Sequence, residues 1–292
     1  MVLALTVVLV WGANFVAIDA GLAELPPLLF VALRFLLTAV PAVFFVPRPD
    51  VGWRTVVALG LLMCVGQFGL LFVGMAQGMP AGLSSVVMQS QAVFTVLIAT
   101  AVLRERLRPL QFAGLLTASA GVALIGVSRG TSVPLTALLL LLAGSACWGA
   151  ANVVTRAARP KRPFSLLVHS SLVAPIPLLC LSLLVEGPDA ARALTSLGPA
   201  AVWSTVYIVV LATFFGFGAW YWLLARYDSS VVAPFSLLVP VTGLSSAWLV
   251  LGERPTAVQW AGSAVAMAGV ALIVRSAGAE GRRRLDRRVA LG

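Results

Sequence analysis

Arg34 is the single charged residue in a long apolar run from Pro27 to Val46, and it lies eight residues in. On a helix that depth is roughly 12 Å along the axis. A guanidinium near the middle of a bilayer costs about 2.5–3.5 kcal/mol on insertion scales, so it must face other helices or water rather than lipid. Its planar fork of donors suits a substrate carboxylate. The other use of such a residue is to bond carbonyls or Gln side chains and fix a helix contact.

Other polar groups sit inside apolar runs. Gln67, Gln89 and Gln91 carry amides, and the last two, two residues apart, point in different directions on a helix, so at most one faces a shared cavity. Asn14 follows Trp11 and Asn152 follows Trp148. This quasi-repeated pair suits polar recognition between related halves, and equally suits bonding between helices. His169, the single histidine, has a side chain whose ordinary pKa suits proton carrying, although a satisfied interfacial histidine is the commoner role. Tyr221, between Trp220 and Trp222 near a helix end, belongs to an aromatic belt or lines the pathway. Glu105-Arg106 and Glu253-Arg254, in short loops, are candidates for gating ion pairs or for helix caps. Pro234 and Pro240 interrupt one run and free backbone carbonyls, which line a site or mark a kink.

What is missing narrows the chemistry. A membrane enzyme needs paired carboxylates, a His cluster or a Ser/His arrangement at one face, and the lone histidine supplies none of these. Cys64, Cys147 and Cys180 lie in apolar runs without ligand spacing, so the expectation is no metal and no cofactor. Proton coupling usually uses a buried titratable group, and only Asp19 and His169 offer one.

These residues need elements to hold them. Apolar residues make up 60% of the chain and charged ones 10%, against about a quarter charged in soluble domains. The net charge of +10 sits in short loops and a tail, which is a topology signal and argues against nucleic acid. Ten apolar segments are long enough for helical spans: Leu3–Leu22, Pro27–Val46, Val56–Met75, Leu83–Val102, Leu110–Val127, Leu135–Val154, Phe164–Val185, Ala200–Leu224, Val231–Leu251 and Ala257–Val274. In lipid such segments are helices, since backbone groups must bond internally. With the amino terminus cytoplasmic, sixteen Lys and Arg residues fall in inner loops and the tail and three, Arg129, Arg192 and Arg254, in outer loops. Both termini are therefore expected in the cytoplasm. The first segment, which lacks a basic region before it, is read as a retained helix and not a cleaved leader.

The chain also repeats itself. Val102–Ile125 returns as Val250–Ile273 at an offset of 148, with 14 of 24 positions identical, including Glu-Arg, Gln-x-Ala-Gly and Gly-Val-Ala-Leu-Ile. Such internal similarity signals a duplicated architecture. Five helices per copy is an odd number, so the second copy must be inverted, with a substrate site near the midplane between the halves. The expected fold is an all-α integral membrane protein of ten transmembrane helices, arranged as two inverted five-helix repeats. Its divisions are 1–127, 128–275 and a basic cytoplasmic tail at 276–292. Gly114, Ala118 and Gly121, repeated as Gly262, Ala266 and Gly269, form a small-residue face for close packing within the fold or in a homodimer.

Several stretches resemble the ten-helix EamA-type carriers of the drug/metabolite transporter superfamily. They are Trp11-Gly12-Ala13-Asn14-Phe15-Val16-Ala17-Ile18, Pro26-Pro27 with Leu33-Arg34-Phe35, Met79-Pro80-Ala81-Gly82-Leu83, Gln89-Ser90-Gln91-Ala92 and Ala233-Pro234-Phe235-Ser236 onward through Pro240. Together they are similar to bacterial exporters of cysteine and O-acetylserine. Asp19 stands where relatives often carry a basic or neutral residue. The resemblance implies an inner-membrane exporter of small amino acids or related metabolites working by alternating access. Its partners would be the bilayer and a zwitterionic or carboxylate-bearing small molecule. Efflux of hydrophobic compounds is the alternative, and a non-transporting membrane enzyme or scaffold a remote one.

Overall fold

Proline marks most of the helix starts in this molecule. The computed structural model describes residues 1–104, 107–127, 133–227 and 229–289, and every regular element among them is helical. In chain order they are α1 (Val2–Leu22), α2 (Pro27–Val43), α3 (Trp53–Ala76), α4 (Ala81–Leu103), α5 (Pro109–Val127), α6 (Leu135–Ala158), α7 (Pro163–Val185), α8 (Pro188–Thr195), α9 (Pro199–Arg226), α10 (Pro234–Leu251) and α11 (Ala257–Val289). Among the described residues, nine helices are long and apolar enough to cross a membrane, and α2 is apolar but 17 residues long. The chain is a multi-pass membrane protein. Each expected apolar segment falls on one of these helices, with ends shifted by a few residues. The short α8, too brief and polar to register as an apolar run, joins α7 to α9. The last helix continues to Val289, so position 275 is not a helix end.

Proline suits the first helical position, because its missing N–H would have no intrahelical partner. The neighbouring N–H groups still need acceptors, and no capping bond comes from the residue that precedes α2, α4, α7 or α9. Carboxylates from distant loops supply them. Glu186 accepts from the backbone N–H groups of Leu28 (2.6 Å) and Leu29 (3.1 Å), at the start of α2. Glu253 accepts from Ala81 (2.7 Å) and Gly82 (3.0 Å), opening α4. Glu24 accepts from Ala201 (2.7 Å) in α9. Asp50 accepts from Lys161 (2.8 Å) and Arg162 (3.2 Å), just ahead of α7. A capping carboxylate typically contributes about 0.5–2 kcal/mol.

The repeated glutamine of the duplicated stretch has a local use instead. Gln111 accepts from the N–H of Arg108 (3.1 Å) at the start of α5, and Gln259 accepts from that of Thr256 (2.8 Å) while its own N–H donates to Thr256 Oγ1 (3.2 Å), a reciprocal cap that opens α11. These two helices pack antiparallel on their small residues. A methyl on Gly114 would lie 2.8 Å from the Gly269 carbonyl oxygen, and one on Gly262 2.9 Å from that of Gly121. Ala118 and Ala266 occupy the middle of the seam. This face is thus spent inside the chain and is not open to a dimer partner.

Four departures from regular helix form two matched pairs, while a π-helical stretch at Ala247–Leu251 in α10 and the break at 172–174 in α7 have no counterpart. α3 has a π-helical stretch, Gly60–Gln67, and α9 has one at Tyr207–Phe215. A 3-10 stretch interrupts α4 at Met88–Ser90, and another, Ala233–Leu238, opens α10 where Pro234 was expected to break the run. Contacts match too. Gly12 of α1 leaves room for Thr242 and Gly243 of α10. Gly149 of α6 does the same for Phe94 and Thr95 of α4, where a methyl would lie 2.7 Å from Phe94 Cβ and 2.8 Å from Thr95 N. The core, with Ile18, Phe30, Phe72, Leu83, Leu141, Leu178 and Ile208, draws on α1, α2, α3, α4, α6, α7 and α9. In lipid its stability comes from packing and interhelical bonds rather than from exclusion of water.

Candidate functional site

Arg34 projects from α2 into the bundle and is 2% exposed. Its guanidinium carbon lies 3.8 Å from the centroid of the Phe68 ring and 5.3 Å from that of Phe35. An aromatic face stabilises such a desolvated cation by about 2 kcal/mol. That contact occupies the flat side of the guanidinium and leaves its edge donors unused. Nε and Nη1 are buried without a hydrogen-bond partner. The thiol of Cys64, buried in the π-helical stretch of α3, lies close enough to Arg34 for the two to interact electrostatically.

Other unpaired groups gather on the same helices. Of the eight buried side-chain atoms without a partner among the described residues, five are Arg34 Nε and Nη1, Thr38 Oγ1, Gln67 Oε1 and Ser170 Oγ, all on α2, α3 and α7. The helices touch there: a methyl on Gly60 of α3 would lie 2.7 Å from the Ser170 carbonyl oxygen. Each unsatisfied buried group costs about 1–3 kcal/mol, so a concentration of them marks a place that a ligand or water fills. His169, one residue before Ser170, is 4% exposed; its Nδ1 lies 2.9 Å from the Ser165 carbonyl oxygen and its ring 6.4 Å from that of Trp53. Ser165 in turn donates to the Pro47 carbonyl.

The remaining candidates fall into two further groups. Trp11 donates to the Ala212 carbonyl (2.9 Å) in the π-helical stretch of α9, and its ring packs on Phe217 (5.1 Å) and Trp220 (5.2 Å). Tyr221 stacks obliquely on Phe217 at 6.1 Å. Asn14, one turn along α1 from Trp11, is buried with Oδ1 unpaired. In the other group Asn152 of α6 donates to Gln91 Oε1 (2.7 Å) and Thr95 Oγ1 (3.1 Å) of α4. Gln89 donates to the Ser236 carbonyl (3.2 Å), tying α4 to the start of α10. Gln89 and Gln91 therefore meet different neighbours, while Trp148 is half-buried against the core. The quasi-repeated asparagines have diverged in use: Asn152 joins helices and Asn14 retains a free oxygen.

Glu253 is half-buried and caps α4, while Arg254 is exposed. Burial pushes the Glu253 carboxyl above its ordinary range, the donors of Gly82 and Ala81 oppose that, and the charge of Asp19 pushes it further up. The Glu105-Arg106 pair lies outside the described residues. Among those residues no cluster of His, Cys, Asp or Glu could hold a metal ion. Phe68 against Arg34, the unpaired Thr38 and Ser170, and the capping roles of Glu24, Asp50 and Glu186 escaped the sequence reading. Thr38, one turn beyond Arg34, carried a usable signal, as did the proline-led helix starts that lack caps of their own.

A probable amino-acid metabolite efflux pump of Salmonella typhimurium is 44% identical over 275 residues, 92% of each chain. One of Escherichia coli K12 bearing the same name is 40% identical over 276 residues, again 92% of each. A probable terminal-alkyne amino-acid exporter of Streptantibioticus cattleyicolor is 30% identical across 94% of this chain and 92% of its own. A crystal structure of a protein 21% identical shares the fold at a TM-score of 0.61, covering 93% of this chain and 94% of that one. The EamA-like transporter family matches residues 1–127 and again 135–275. With both matches together spanning nearly all of the sequence, the chain belongs to the EamA-like transporter family.

Proposed function

We propose that the protein exports small amino acids or related metabolites, cysteine- or O-acetylserine-like, by alternating access. The names of its relatives support the substrate class, and one observation carries the chemistry. Arg34 is a buried cation with its face on Phe68 and its edge donors unpaired. A substrate carboxylate satisfies those donors in a bidentate geometry. Thr38, Gln67 and Ser170 offer neutral groups for the rest of a zwitterion. Trp11, Asn14 and Tyr221 form the wall on the α1–α9 side, and His169 lies one residue from Ser170. Gln89, Gln91 and Asn152 reach substrate only by giving up their interhelical bonds, and Trp148 backs them.

In this reading ten helices span a bacterial inner membrane, with both termini cytoplasmic and the basic tail against anionic lipid. Residues 1–127 and 128–275 form inverted repeats. The reversed contact order between α5 and α11, the matched helix irregularities and the crossed contacts of Gly12 and Gly149 support that symmetry. Everted vesicles test the substrate claim. Uptake of a carboxylate-bearing amino acid should fall at least about tenfold in Arg34→Ala, the loss of roughly 1.4 kcal/mol or more, and unchanged uptake would overturn it. The aromatic group around Trp11 favours a second reading, efflux of hydrophobic compounds. Broad dye resistance that is indifferent to Arg34→Ala would select that one.

A further inference from the structure

All four capping carboxylates reach from one half of the chain to the other, which local helix capping does not require; Asp50 does so ahead of α7, and the other three form a separate set. Glu24 and Ala201, Glu186 and Leu28 with Leu29, and Glu253 and Ala81 with Gly82 are separated by 157 to 177 residues. In each pair the acceptor comes from one half of the chain and the donor from the other. With the topology proposed above, all three lie on the extracytoplasmic face, at the loops that follow α1, α7 and α10.

These contacts are built sites. Gly198 leaves the space into which Glu24 reaches; a methyl there would lie 2.6 Å from Glu24 Cδ. Gly82 does the same for Glu253, with a methyl 3.0 Å from its Oε2. Ser182 donates to Glu186 Oε2 (2.6 Å) and orients that carboxylate. The receiving helices bring no side-chain cap of their own, so the distant acid is the acceptor that their first free N–H groups have. Two such N–H groups and a carboxylate at the membrane surface are all readily hydrated once separated. The contact can therefore open and reclose, unlike an amide bond buried in the bundle.

We propose that Glu24, Glu186 and Glu253 form a latch that holds the extracytoplasmic face closed, and that this face opens by releasing them. The inference rests on the two-half, alternating-access reading and adds the residues that gate one side of it. The latch acts by joining the halves at helix starts, where a rigid helix converts a small release into a swing of its whole length. It works without a basic partner, so Arg254 is not part of it.

The test uses the full-length protein in cells, with Cys147 and Cys180 replaced by serine and a Ser84→Cys reporter. Ser84 is fully buried, three residues beyond the capped end of α4. Glu253→Gln and Glu186→Gln should each raise labelling by a membrane-impermeant maleimide added outside, several-fold over the unmutated latch. A separate Ala81→Cys/Glu253→Cys pair, joined as a disulfide by an added oxidant or bridged by a short bis-methanethiosulfonate that forms a disulfide to each cysteine with loss of methanesulfinate, should lose transport and regain it on reduction with dithiothreitol. Unchanged labelling in a Glu186→Ala/Glu253→Ala variant that stays monodisperse, or full transport while the cross-link is intact, overturns the latch. Increased labelling in a protein that exports none of the amino acids tried supports the latch and rejects the substrate assignment, so the two failures are distinguishable.

Discussion

The guanidinium of Arg34 lies over the ring of Phe68, 3.8 Å from its centroid, with Nε and Nη1 turned into the bundle and unpaired. Face and edge of one side chain thus have separate uses, and they are separable by substitution. Phe68→Leu removes a contact worth about 0.5–2 kcal/mol and should raise KM for an amino-acid substrate a few-fold. Arg34→Lys keeps the charge and loses the fork. Hydrogen bonds to charged groups contribute about 1.5–3 kcal/mol, so transport in vesicles should fall at least tenfold.

The seam between α5 and α11 has no room for a side chain at its glycines. A methyl on Gly121 would lie 2.6 Å from both Ala266 Cα and the Gly262 carbonyl oxygen, and one on Gly269 2.7 Å from Ala118 Cα. Overpacking of this kind costs about 1–3 kcal/mol, so Gly121→Ala and Gly269→Ala should each lower the melting temperature in detergent. Leu116→Ala, on the outer surface of α5, should leave it nearly unchanged.

Asn152 and Gln91 bond to each other across α6 and α4, 2.7 Å apart. If that bond is structural, the two alanine substitutions should be coupled in stability. Polar pairs within membranes average about 0.6 kcal/mol and reach about 1.7 in such cycles. A double-mutant cycle measured by unfolding in mixed micelles should find a coupling in that range, with KM for substrate unchanged.

Asp50 accepts from two backbone N–H groups ahead of α7, and the donors of Lys161 and then Arg162 hold its carboxyl below the usual range. A carboxyl depressed in the folded state stabilises fully above its unfolded pKa of about 3.9 and loses that contribution as pH falls through the lower folded value. Melting temperature followed from neutral pH down through that window should therefore decline more steeply for the unmodified protein than for Asp50→Asn.

Several features were legible in the residues because their signals are local. Long apolar runs announce helices wherever they occur, and prolines locate their starts. The offset of 148 between two near-identical stretches survives as plain text. The lone charge of Arg34 inside a run is conspicuous for the same reason, since its cost in lipid is a property of the residue and its depth. The small-residue stripe was readable as a packing face, but its partner was not, because spacing along one helix says nothing about which helix lies opposite.

By itself, the sequence determined that this chain enters a membrane as apolar helices and carries a doubled pattern with an isolated cation. Composition and short-range period suffice for each of these. Only the tertiary structure decided what the polar groups meet. Glu253 was open to either a gating ion pair or a helix cap, and the helix it caps is α4, through Gly82, 171 residues away in the chain. Asn14 and Asn152 looked alike and were put to different uses. A hydrogen bond depends on distance and angle in space, and between residues so far apart in the chain those are set by how the helices pack.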